Sequence, residues 1–128
     1  MSADPFVPLT IELRQASLVH TEPVFDLRAA LKAAAQYEAA GWGLVAWEGW
    51  VVYPDGRYGH PNAILGTEEI EQKSSENWTD YVRRSWEFGR ETMRQEAERW
   101  PIAGHTSDQR LFFRISPSEP SPRRDVLK

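Results

Sequence analysis

The stretch LVAWEGWVVYPDGRYGH, residues 44–60, decides how this chain folds, because its two acid-glycine dipeptides govern which aromatic side chains share a face. Glu48-Gly49 separates LVAW from WVVY, and Asp55-Gly56 separates VVYP from RYGH. Asp-Gly is a favoured two-residue hairpin turn because both central positions need positive φ. Reading both dipeptides as turns predicts a three-stranded antiparallel meander. Trp47 then lies opposite Trp50, with Val45 and Val52 on their face, while Leu44, Ala46, Val51 and Tyr53 take the other. Across the second turn Tyr53 meets Tyr58 and Val51 meets His60. If Gly49 is instead a bulge in one continuous strand, Trp47 and Trp50 point to opposite faces.

Working outward, Leu9, Ile11 and Leu13 alternate with Thr10, Glu12 and Arg14, which predicts a strand over about residues 8–14. The alanine-rich run VFDLRAALKAAAQYEAAG carries Phe25, Leu27, Leu31, Ala34 and Tyr37 at helical spacing, with Gly41 placed as a left-handed cap. From Thr67 to Trp100, the positions Ile70, Ser74, Trp78, Val82, Trp86, Gly89, Met93, Ala97 and Trp100 advance by threes and fours. This predicts a long amphipathic helix capped by Thr67, either continuous or broken near SSEN. Asp80 with Arg84, and Arg83 with Glu87, stand at ion-pair spacing on its solvated face. Pro101 and Gly104 end it, and QRLFFRIS sets Leu111, Phe113 and Ile115 against Phe112 and Arg114, a last strand.

The expected fold class is therefore α+β: a small single domain over residues 1–116, with an antiparallel or mixed sheet including the meander. One alanine-rich helix and one long amphipathic helix pack on it. Residues 117–128 read as a flexible proline-rich tail, and its basic excess leaves the body more acidic than the whole.

At 128 residues the chain suits one core. The 15 Lys and Arg against 19 Asp and Glu give a net charge of -4, which disfavours a nucleic-acid backbone as partner and favours a basic one. Zero cysteines exclude disulfides, thiolate nucleophiles and thiolate zinc sites, and fit a cytoplasmic setting. MSADPFVPLTIEL has neither the basic flank nor the apolar run of a signal peptide, and no apolar run approaches a membrane span.

Motifs for chemistry are sparse. His20, His60 and His105 have no metal-ligand spacing, so neither metal nor cofactor is expected. GHTSDQR holds a histidine, hydroxyls and a carboxylate in a row, but neighbours rarely meet in triad geometry, and a helix-to-strand loop explains them. Glu68-Glu69 suits a helix start, where the macrodipole favours negative charge. No glycine-rich phosphate loop occurs, and no catalytic residue is expected.

A compact acidic domain rich in tryptophan, without an assembled catalytic motif, reads as a non-catalytic binding protein of the inhibitor or immunity type, directed at a basic toxin or enzyme. Its candidate partner-binding residues are Trp47, Trp50, Tyr53, Arg57, Tyr58 and His60, since a sheet in a domain of this size is commonly covered on one face only. One alternative is a ligand-binding or enzymatic pocket between meander and long helix, lined by His60, Arg57, Tyr53, Tyr58 and Trp86. Another is a homo-oligomer seamed by Trp78, Val82, Trp86, Gly89 and Met93. The competing assignment for that stripe is the core face of the helix, because the sheet needs a cover.

Overall fold

A computed structural model of the chain describes residues 4–60, 65–102 and 109–120. Its elements are α1 (Ile11–Ala16), β1 (Val24–Phe25), α2 (Leu27–Ala39), β2 (Gly43–Val52), β3 (Tyr58–Gly59), α3 (Trp78–Ile102) and β4 (Arg110–Ser118). The strands form one sheet in the order β1-β4-β2-β3, antiparallel at every pairing. The α+β class stands, without the mixed variant of the sheet.

The meander does not form as expected. Residues 43–52 are a single strand that runs straight through Glu48-Gly49, paired with β4 from Gly43↔Ser118 to Val52↔Arg110. A partner along its whole length satisfies the backbone groups that a hairpin at Glu48-Gly49 would have withdrawn from the ladder. Gly49 serves close approach instead: a Cβ there would stand 3.0 Å from the Cβ of Leu65. The Gly49 N–H donates to the Leu65 carbonyl, Thr67 N–H to Trp47, and Ile70 N–H to Val45. The segment 65–70 thus lies along the β2 edge beyond β3. The second dipeptide does turn the chain, in a longer loop: Gly56 N–H donates to the Tyr53 carbonyl at 2.9 Å, and Gly56 has φ +89°. Pro54 presets the first corner of that turn, which shifts the pairing to Val52↔Tyr58 and Val51↔Gly59.

Two further expectations are corrected. Residues 11–16 are a helix, not part of a strand: Leu9 and Leu13 are buried while Ile11 is 71% exposed. Positions 9 and 13 satisfy both a two-residue and a helical period, and Thr10 decides by capping, its hydroxyl accepting from Leu13 N–H at 3.3 Å. Residues 67–77 are not helical. The Thr67 hydroxyl accepts from Trp47 N–H, so it caps no helix, and Glu68-Glu69 do not stand at a helix start. Asn77 is the cap, its side-chain oxygen accepting from Asp80 N–H at 2.8 Å. β4 reaches Ser118, so residues 117 and 118 of the expected tail pair with Leu44 and Gly43; residues 121–128 and Gly104 lie outside the described residues.

The helix over 27–39 forms within the expected span. Asp26 caps it by accepting from Ala29 N–H at 2.9 Å, and Gly41, at φ +79°, ends it. Val24 and Phe25, ahead of the cap, form β1 instead. Ala30, Ala33 and Ala34 are fully buried, and these short side chains bring α2 close to its neighbours.

The core lies between the inner sheet face and α2 and α3. Trp78, Val82, Trp86 and Met93 are buried there, so the proposed oligomer seam is the core face of the helix. Trp86 stacks on Tyr37 at 5.5 Å and donates to the Trp42 carbonyl at 2.7 Å; Trp78 donates to Gly41. Ser85, also buried, accepts from Leu44 N–H and donates to Val82. Polar atoms of α3 therefore hold the entry into β2, and no buried side-chain polar atom among the described residues lacks a partner.

The expected pairs of α3 rearrange: Arg83 meets Asp80, and Arg84 reaches back to Glu76 through two hydrogen bonds of 2.7 and 2.8 Å. Arg84 also donates to the Glu71 carbonyl, tying 71–76 to the helix. The side-chain hydrogen bonds from Arg84 hold the Glu76 carboxyl down at about 2, against an ordinary 4.5. A carboxyl lowered on folding adds stability above its unfolded value and loses it as pH falls through the folded one. Glu76→Gln is expected to cost about 1 kcal/mol near neutrality, after allowance for solvent screening. In acid titrations followed by chemical denaturation, the gap from wild type should close between pH 4.5 and 2.

Candidate partner-binding face

Alternation along β2 and β4 sorts the sheet into two faces. Trp47, Gly49 and Val51 pair with Ile115, Phe113 and Leu111 on the inner side; Glu48, Trp50 and Val52 pair with Arg114, Phe112 and Arg110 on the outer side. β3 extends the outer side with Tyr58, opposite Val52.

Of the expected binding residues, the structure brings Trp50, Tyr58 and His60 together. Trp50 and Tyr58 stack at 5.4 Å with planes 10° apart, and His60 meets the Trp50 edge at 6.1 Å. Tyr58 is 49% exposed and Trp50 half-buried. Trp47 is placed elsewhere: it is 2% exposed on the inner side, donating to the Thr92 hydroxyl at 2.7 Å and meeting Phe113 edge-on. Tyr53 and Arg57 form a separate unit at the hairpin, where the Arg57 guanidinium lies over the Tyr53 ring and pairs with Asp55 at 2.6 Å. The backbone and side-chain hydrogen bonds from Arg57 lower the Asp55 carboxyl below its usual range.

Several members of the outer face were not anticipated. The Glu48 carboxylate is its hub: Oε1 accepts from the Trp50 indole at 2.9 Å and lies 3.4 Å from both His60 Nδ1 and Arg114 Nε. Arg114 also donates to Glu22 at 3.1 Å. Phe112, 7% exposed, lies under the Arg110 guanidinium at 5.0 Å, and Arg110 stands 3.8 Å from Asp26. The alternation in QRLFFRIS already separated Phe112 and Arg114 from the core side; their pairing with Trp50 and Glu48, about sixty residues away in sequence, has no local signal.

The pocket imagined between meander and α3 is divided by the sheet, with Trp86 fully buried on the inner side and Tyr58 and His60 on the outer. Cavities occur instead between α1 and α2, lined by Thr10, Leu13, Arg28, Lys32 and Gln36, and beside Asp4, Phe6, Arg14 and exposed His20. Among the described residues no group of metal-ligating side chains assembles, and no helix is long and apolar enough to cross a membrane. His105 and most of GHTSDQR lie outside the described residues. Comparison of the chain with protein-family models, with curated proteins and with solved structures finds no match.

Proposed function

We propose that this chain is a non-catalytic protein-binding module of the inhibitor or immunity type, which blocks a basic surface of a toxin or enzyme through the outer face of its sheet. The observation that carries this reading is the half-exposed Trp50–Tyr58 stack on the sheet face opposite α2 and α3. Rigid aromatic rings at a partly desolvated centre are what partner hot spots are made of. The preference for a basic partner rests on the net charge of -4 and on exposed Glu68, Glu69 and Glu71 beside the β2 edge. Opposite charge accelerates encounter at low salt.

The test is capture by the tagged protein from its native cells at low salt, followed by reconstitution with the purified protein retained. A basic protein that binds wild type and is lost from a folded Trp50→Glu variant supports the reading. Equal retention by both, or no retained protein, overturns it.

A further inference from the structure

We propose that His60 makes the outer face pH-sensitive: once protonated, its imidazolium claims the Glu48 carboxylate, weakens that oxygen's hold on the Trp50 indole, and releases a basic partner on acidification. This is a regulation of the binding reading above and rests on it.

Three observations converge on a proton-driven exchange. First, one oxygen serves three neighbours: Glu48 Oε1 accepts from the Trp50 indole at 2.9 Å and stands 3.4 Å from both His60 Nδ1 and Arg114 Nε. A proton added to His60 turns one of those contacts into a charge-assisted one, so Oε1 is divided differently among the three. Second, the imidazole is open to solvent protons, its side chain being 68% exposed, and it touches the aromatic stack through Trp50. Third, an imidazole is the side chain that ordinarily changes charge between pH 5 and 8. The groups facing it are Glu48 on β2, Tyr58 on β3 and, across Glu48, Arg114 on β4. The segment 65–70 carries Glu68 and Glu69, but among the described residues His60 pairs with Glu48 alone, and residues 61–64 hold no ionisable side chain. Arg114 is not stranded by the exchange, because it also donates to Glu22 at 3.1 Å.

Protonated His60 adds positive charge to the face, so a basic partner prefers the neutral form and its affinity falls as pH falls through the imidazole range. By linkage, the bound partner makes His60 harder to protonate.

The test follows the indole N–H resonance of Trp50, identified by Trp50→Phe, from pH 8 to 5.5, above the ordinary carboxylate range. A single step is expected in wild type and none in His60→Gln. Glu48→Gln keeps an acceptor for the indole but removes the charge, and should shrink the step to less than about half. A flat wild-type curve, or a step that survives His60→Gln, would overturn the role of His60. A full-sized step in Glu48→Gln would overturn the exchange at Glu48, because the nearby ring alone would then account for it. With the purified partner, wild-type affinity should fall roughly threefold more than that of His60→Gln over the same range, the scale of an exposed ion pair. Equal responses of the two proteins would overturn the regulation. If the resonance stays flat while a partner depends on Trp50, this inference fails and the binding module stands. If the resonance steps as expected and no partner depends on Trp50, the module fails and the exchange at Glu48 stands.

Discussion

Trp86→Ala is expected to destabilise the domain by about 3–5 kcal/mol, the range for truncating a large buried aromatic. Two losses combine at this site. The ring is fully buried and stacked on Tyr37 at an interplanar angle of 6°, so its removal leaves a cavity between α2 and α3 with one wall stripped of its contacts. The indole N–H also satisfies the Trp42 carbonyl, which stands one residue before β2 begins. With that donor gone, the entry to the longest strand keeps its ties to Trp78 and Ser85 but loses the central one. Because a domain of this size holds only about 5–15 kcal/mol in total, the variant should melt far below wild type or fail to fold. Urea unfolding measures this; a loss under about 1 kcal/mol would show that the α2–α3 interface collapses around the gap.

The second large effect is a contrast between two neighbouring tryptophans. Trp47→Ala should cost about 3–5 kcal/mol of stability, since it removes a core ring packed on Phe113 and leaves the Thr92 hydroxyl without its indole donor. Trp50→Ala should cost only about 1–2 kcal/mol, because its ring is half-buried and its lost partner, Glu48, keeps Arg114. Affinity for the proposed partner should show the opposite order: Trp50→Ala is expected to lose about 2 kcal/mol or more of binding, roughly thirtyfold, as central aromatic anchors do. Thermal melts beside titrations of the purified partner read both quantities. Equal stability losses in the two variants would contradict the assignment of these rings to opposite faces.

That contrast also marks what the sequence could disclose. The periodicities of α2, α3 and β4 are legible because each has one buried stripe and a polar remainder, although in α2 the expected stripe holds only at Ala34 and Tyr37, with Ala30 and Ala33 fully buried where Leu27 and Leu31 are partly so. Residues 44–52 were harder, since both faces of β2 carry apolar side chains and local alternation cannot say which is inside. A turn dipeptide then looked decisive, and only the long-range pairing with β4, together with the closeness of Leu65, makes Gly49 a strand residue. For Leu9 and Leu13 the spacing fits strand and helix alike, and a single cap chose. On the outer face, Trp50, Tyr58 and His60 are visible in the sequence as an aromatic cluster near a turn. Glu48, Phe112 and Arg114 were not, because contacts between distant strands leave no mark in either strand alone.

The pairing of β2 with β4 slips between Leu44 and Ala46, with Val45 as the extra residue. Strict alternation would send Leu44 and Trp47 to opposite sides; the bulge lets Leu44 pack over Gly89 and Trp47 reach Thr92, both on α3. Val45 therefore sets the phase of everything downstream, and the strand is vulnerable to changes of length more than of kind. Loss of Val45 itself would leave Leu44 and Trp47 two positions apart and on one side by plain alternation, whereas loss of one residue between Trp47 and Trp50, where no bulge stands, would carry Trp50 toward the helices and Val51 toward solvent while those side chains kept their identity.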